Sequence, residues 1–299
     1  MTKLQASMLA LLGGASYGLL PGFAKQAYAS GVGTGPLTLT QNLIGAILLW
    51  SIAFIAARGQ SKPDRRQILQ LLLTGALPGL TGAFYYWALA MLPASLGIIL
   101  LFQFTWIGVG LEWLLTREKP GPSRWLALFL LVPGTVLAAG LEGGSSPQFH
   151  WLGVMLGFLS ALTYTGYLSA AGRVATSVSP WARSAWISTG ATITTSIFFS
   201  LFLTGDGGGK VGDLLLYGGL MGLFGALLPT VCFAYGVPVI GGGLAGILGA
   251  VELPVVLLVS RFFLGEPVGL RQWLGTILML AGIYIGEKGE HFFKKTLEY

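Results

Sequence analysis

The segment Gly14-Ala15-Ser16-Tyr17-Gly18 spells the G-x-S-x-G of serine hydrolases. That chemistry needs the serine on a strained strand-to-helix turn and a histidine base to take its proton. The only histidines, His150 and His291, fall at the edges of apolar stretches, whereas the pentapeptide lies inside one. Gly14 and Gly18 are read instead as a G-x-x-x-G packing face that lets one helix approach another closely. Gly205-Asp206-Gly207-Gly208-Gly209-Lys210 imitates a phosphate loop, but the spacing is wrong and no Ser or Thr follows the lysine. The single Cys232 excludes an intramolecular disulfide and any cysteine-based zinc site. No enzyme, no metal and no cofactor is expected.

What remains is a set of polar and aromatic groups embedded in apolar sequence. Glu252 falls near the centre of a hydrophobic stretch, where a carboxylate is costly unless protonated, paired or wet, and so marks a functional candidate. Glu112 falls near the end of its stretch, within reach of water or of the basic 117–124 segment. Gln103 and Trp106, three residues apart, share one helix face, and Ser160, Thr163, Tyr164 and Tyr167 form a stripe on another. Tyr17, Tyr85, Tyr86 and Tyr235 add further rings. Tyr28, Trp50, Trp151 and Trp181 are read as anchors at the bilayer interface. The residues of the middle of a stretch do not suit that role. A cavity lined by Tyr, Trp and Gln stacks a ring and hydrogen-bonds polar groups, which suits amphipathic solutes such as aromatic amino acids. The expected substrate-binding set is Tyr17, Tyr85, Tyr86, Gln103, Trp106, Thr163, Tyr164, Tyr167, Tyr235 and Glu252. For a cationic drug Glu252 would pair with the charge, and protons are a further candidate partner of the same carboxyl.

The elements that must position these groups are membrane helices. Only 9% of the 299 residues are charged and 54% are hydrophobic, against about 25% charged in a soluble domain. Such a chain lacks the charge to cover a globule in water. The net charge of +6 suggests nucleic acid at first sight, but the basic residues lie between apolar stretches rather than in one patch. Lys3 and the apolar residues after it resemble a signal peptide, yet Gly13, Gly14, Tyr17 and Pro21 interrupt the run and more spans follow. Ten spans are expected, at 4–28, 35–57, 66–91, 95–115, 123–141, 150–176, 180–204, 211–237, 243–264 and 269–289. They are helices, because the apolar segments do not alternate as barrel strands must. With the N-terminus inside, 13 of the 17 Lys and Arg fall on the inner side, and only Lys25, Lys210, Arg261 and Arg271 fall outside. The positive-inside rule therefore puts both termini in the cytoplasm.

The chain also repeats itself. A gapless shift of 148 residues pairs Glu118 with Glu266, Gly121 with Gly269, Trp125 with Trp273 and Gly134 with Gly282. The expected domains are 1–145 and 146–299, each of five helices, so the second half is inverted in the membrane. Inverted repeats are the architecture of secondary transporters, which bind substrate near the midplane between the halves. Pro21, Pro78, Pro229 and Pro254 lie inside spans, where each removes a helix hydrogen bond, and are expected to serve as hinges. The cavity is expected between the first, third, fourth, sixth, eighth and ninth spans, whose mid-span polar residues outnumber those of the other four.

Glu252-Leu253-Pro254-Val255-Val256, Leu264-Gly265-Glu266-Pro267, Gln272-Trp273-Leu274-Gly275 and Leu280-Ala281-Gly282 together resemble the signature of EamA-type transporters of the drug/metabolite transporter superfamily. Trp87-Ala88-Leu89, Pro93-Ala94-Ser95 and Glu118 stand at the matching places of the first half. The resemblance covers nearly the whole chain. It implies an all-α membrane protein of ten transmembrane helices in two inverted five-helix repeats, placed in the inner (cytoplasmic) membrane and exporting small metabolites. The aromatic interior is most similar to the YddG-type branch, which exports aromatic amino acids.

Overall fold

A computed structural model describes residues 1–56, 63–117, 121–139, 150–171, 173–202, 207, 209–240 and 242–296. Among them every regular element is helical and no strand occurs. The expected boundary between halves, Glu118 and the phosphate-loop imitation at 205–206 and 208 lie outside the described residues. Ten helical stretches follow one another in the order expected. They are α1 (Lys3–Ala29), α2 (Thr34–Ala56), α3 (Arg65–Met91), a fourth split into α4 (Ala94–Leu101) and α5 (Phe104–Thr116), α6 (Pro122–Ala139), α7 (Trp151–Ala171), α8 (Pro180–Phe202), an eighth made of α9 (Val211–Gly222) and α10 (Leu228–Ile240), a ninth split into α11 (Gly242–Gly249) and α12 (Glu252–Leu258), and α13 (Leu270–Thr296). Seven stretches are long and apolar enough to cross a membrane by length and composition. The apolar parts of α6 and α13, Trp125–Ala138 and Leu270–Ile285, are shorter, and the ninth stretch is interrupted at Ala250–Val251.

Local chemistry explains the ends and the breaks. Thr2 with Gln5, and Asp64 with Gln67, form capping boxes that satisfy the first free N–H groups of α1 and α3. Pro21 and Pro78 lie inside continuous helix. The ninth stretch breaks four residues before Pro254, which cannot donate to the Ala250 carbonyl and instead sits in the first turn of α12, where no donor is needed. Pro229 stands just after a π-turn over Leu223–Leu227, whose Phe224 carbonyl is taken by the Ser16 hydroxyl.

The fourth stretch breaks at Phe102–Gln103 with no proline at all. Here the Gln103 backbone N–H turns to Leu100 O at 3.2 Å, and its side-chain amide donates to Ile99 O at 2.7 Å. The side chain thus replaces the bond that its own backbone gives up. The remaining amide oxygen accepts from Trp106 Nε1 at 2.8 Å, and Nε2 also reaches Thr135 Oγ1 at 3.1 Å. Gln103→Leu should leave the Ile99 carbonyl and the Trp106 N–H unpaired, at a cost of about 1–3 kcal/mol. Thermal unfolding in detergent checks it, and an unchanged melting temperature would remove Gln103 from the support of the break.

Packing brings the stretches into one bundle. α3 lies against α7 and α8, and the eighth stretch lies against α1 and α2. α4 and α5 touch α7, while α11 and α12 touch α1, and α6 pairs with α13. Two contacts are made of bare backbone. A Cβ on Gly75 would collide with the Ile187 carbonyl and stand 2.9 Å from Gly190 Cα, so α3 and α8 can meet only through glycine. A Cβ on Gly14 would likewise collide with the Gly249 carbonyl, and one on Gly18 would stand 2.6 Å from Val255. The 14–18 face therefore lies on α11 and α12, as a packing face does.

Candidate functional site

A cavity of about 970 Å³ runs into the bundle. Its lining begins beside Arg173, Ser184 and Leu115, at the end where α1 starts and α2 stops. It reaches inward past both helix breaks, to Phe102, Phe104, Ala250 and Glu252. Beyond them the bundle is closed by packed side chains, among them Leu89, Ile98 and Val256, each at most 1% exposed.

Six of the ten expected binding residues line this cavity: Tyr17, Tyr85, Tyr86, Tyr164, Tyr167 and Glu252. They arrive from four different stretches, so no local sequence feature brings them together. The Tyr85 and Tyr86 rings meet edge to face at 5.4 Å, and Tyr164 lies 4.9 Å from Phe104 and 6.0 Å from Tyr167. Phe104 and Glu252 are the first residues of the two half-helices α5 and α12, which places both breaks at the cavity wall.

The polar groups are unevenly satisfied. Tyr86 Oη accepts from Gln41 Nε2 at 3.2 Å, but Gln41 Oε1 and Tyr85 Oη are buried without a partner among the described residues. The Glu252 carboxylate is half-buried and meets no cation among the described residues. No group of three or more His, Cys, Asp or Glu among the described residues is placed to hold a metal.

Four expected residues are not in the lining. Thr163 stands directly behind it, hydrogen-bonded at 2.8 Å to Thr81, which does line the cavity. Gln103 is buried and occupied by the helix break, and Trp106 is bound to it with its ring 6.1 Å from Phe158. Tyr235 is 58% exposed and packs against Trp181, on the outside of the bundle. Its position on α10 is one that a helical stripe alone does not fix, because Phe233 and Val237 take the inward face. Of the expected hinges, Pro78 is also a lining residue.

All six stretches expected to line the cavity do so, but α2, α6, α8 and α13 contribute as well. Gln41 and Asn42 of α2, Leu131 of α6, Ser188 of α8 and Ile283 of α13 all reach it. Adjacent Gln and Asn in the middle of an apolar span were the available signal. Asn42 donates to Thr195 Oγ1 at 2.9 Å and so ties α2 to α8 beside the cavity.

The model of the EamA-like transporter family matches residues 4–140 and again residues 151–285. The chain belongs to the EamA-like transporter family. It is a multi-pass membrane transporter of that family. An uncharacterized transporter of Synechocystis sp., sll1319, is 26% identical over 220 residues, covering 74% of this chain and 67% of that protein. The uncharacterized transporter YwfM of Bacillus subtilis is 27% identical over 180 residues, and the match spans 58% of each chain. A solved crystal structure superposes with a TM-score of 0.65 at 19% identity, covering 93% of this chain and 97% of that one, which shows a shared fold.

Proposed function

We propose that this EamA-like protein exports small amphipathic solutes, aromatic and other neutral amino acids first, by alternating access through the aromatic cavity. The observation that carries the reading is the Glu252 carboxylate, without a cation partner among the described residues and sharing the cavity wall with tyrosines at the depth of both helix breaks. A carboxylate at that depth needs a counter-charge or water. A protonated amine supplies the counter-charge, and tyrosine faces favour both an aromatic body and a cation.

The repeat supports the alternating-access part. The 148-residue shift carries α4 (Ala94–Leu101) onto α11 (Gly242–Gly249), and the start of α5 at Phe104 onto the start of α12 at Glu252. Helix α3 meets α7 and α8 much as the eighth stretch meets α1 and α2. Broken helices at corresponding places in two halves, flanking a central cavity, are what rocking-bundle carriers use. On this reading residues 1–145 and 146–299 are the two inverted units. The open end faces the cytoplasm, both termini are cytoplasmic, and the inner membrane is the location. Pro21, Pro78, Pro229 and Pro254, with the break at Gln103, are the candidate hinge points.

A second reading, export of cationic drugs, is favoured by one observation. Among the described residues Arg173, at the mouth, is the only Lys or Arg in the lining, and none of them offers a positive charge to a solute carboxylate at the depth of Glu252. Purified protein in liposomes decides between them. Labelled tryptophan should enter saturably and be competed by unlabelled neutral amino acids, whereas uptake of methyl viologen alone would replace the first reading by the second. Flux without saturation would remove the carrier reading altogether.

A further inference from the structure

The closed end of the bundle is held by contacts that solute recognition does not use. Lys25 Nζ donates to the Leu92 carbonyl at 2.6 Å. The Glu266 carboxylate accepts the Ala94 N–H through both oxygens, at 2.9 and 3.0 Å. Gln272 Nε2 adds a longer contact to Ser95 Oγ at 3.5 Å. All four contacts fall on the joint between α3 and α4. Lys25 takes a carbonyl where α3 ends, and Glu266 takes a free N–H where α4 begins, the two termini whose orphan groups favour a cation and an anion respectively. Glu266 and Gln272 come from the second half and the joint from the first, so this latch ties the halves together at one end.

The open end carries the parts of a matching latch. The shift of 148 residues pairs Lys25 with Arg173, and Leu92 with Ile240. Lys25 is held at the closed end, whereas Arg173 stands exposed in the cavity mouth with no side-chain hydrogen bond among the described residues. Ile240 ends α10 as Leu92 follows α3, and α11 begins after it as α4 begins after Leu92. The last carbonyls of a helix have no partner within it, and a nearby cation is favourable there.

We infer that Arg173 is the second half's counterpart of Lys25, and that the two cations lock opposite ends of the cavity in turn. When the mouth closes, the Arg173 guanidinium takes the Ile240 carbonyl, and the Lys25 bond to Leu92 opens in exchange. One charge-assisted bond forms as its equivalent breaks, so neither access state is over-stabilised and the exchange stays near balance. This rests on the alternating-access reading, but it is tested by labelling rather than by transport, so either can fail without the other.

The test uses the full-length protein with Cys232→Ser, which removes its one cysteine. Two reporters are added singly: Ile98→Cys, 1% exposed at the closed end, and Ser188→Cys, in the lining near the mouth. A membrane-impermeant maleimide is applied from each side of the membrane. Lys25→Met should raise labelling at position 98 about tenfold, the worth of roughly one hydrogen bond to a charged group. Arg173→Met should lower labelling at 98 and raise it at 188, while the double variant returns both rates toward the starting values. Arg173→Lys, which keeps a cation, should behave as the parent does. Unchanged labelling at both reporters in properly folded Arg173→Met protein would overturn the proposal. So would Lys25→Met without effect at position 98.

Discussion

Glu252→Gln should raise the half-saturating concentration for an amine-bearing solute by about 30-fold or more. Removing one partner of a desolvated charge pair costs about 2–5 kcal/mol, and Glu252 is only half-buried and open to the cavity, so the low end applies. The variant keeps the shape of the side chain and loses only the charge. A neutral analogue of the same solute, lacking the amine, should therefore be carried at an unchanged rate. Equal loss for both solutes would assign Glu252 to the architecture of the α12 break rather than to recognition. Counterflow at two pH values separates a further role. The expected result is facilitative exchange, with the same pH profile in both proteins. If only the parent responds to pH, Glu252 lies on a proton path.

Gly75→Val should abolish assembly. The first added carbon already collides with the Ile187 carbonyl, and the facing Gly190 has no side chain that could move aside. α3 and α8 would have to separate along a contact that also holds the Thr195 hydroxyl to the Gly79 carbonyl. Effects above about 4–5 kcal/mol are uncommon for one substitution and arise from overpacking of this kind. The expected outcome is no monodisperse protein after detergent extraction. Gly110→Ala is the control, because nothing stands within 4 Å of a Cβ there, and in a helix it should be neutral or stabilising by about 0.5–1 kcal/mol. Equal recovery of the two variants would show that the α3–α8 contact yields more readily than its geometry indicates.

The bundle was legible because membrane helices announce themselves through long uncharged stretches, and the ten stretches came out in order. The interior acid and five of its tyrosines were legible for a related reason: polar groups at mid-span depth have few other places to go. What remained hidden depended on side-chain direction. A period of 3.6 residues marks a face but not which neighbour the face meets, and so Tyr235 turned outward while Gln41 and Asn42 turned in. Helix breaks were sought at prolines, which found the ninth stretch and missed the fourth. There the break is made by Gln103, whose amide completes the bond its backbone abandons, a role that glutamine type alone does not reveal. Trp106 followed Gln103 into that supporting network instead of reaching the cavity.

The bare contact between Gly14 and Gly249 bears on speed as well as on packing. Interlocked side chains must climb over one another when two helices slide, each crossing a rotamer barrier. Where α1 meets α11 the surfaces at this point are smooth main chain, flanked by the flat ring of Phe233. Gly249 is also the last residue of α11 before the break at Ala250, so the bare contact lies beside the proposed hinge. In a carrier that rocks as proposed, the joint would work as a plain bearing set against its own axle, with friction kept low beside the break.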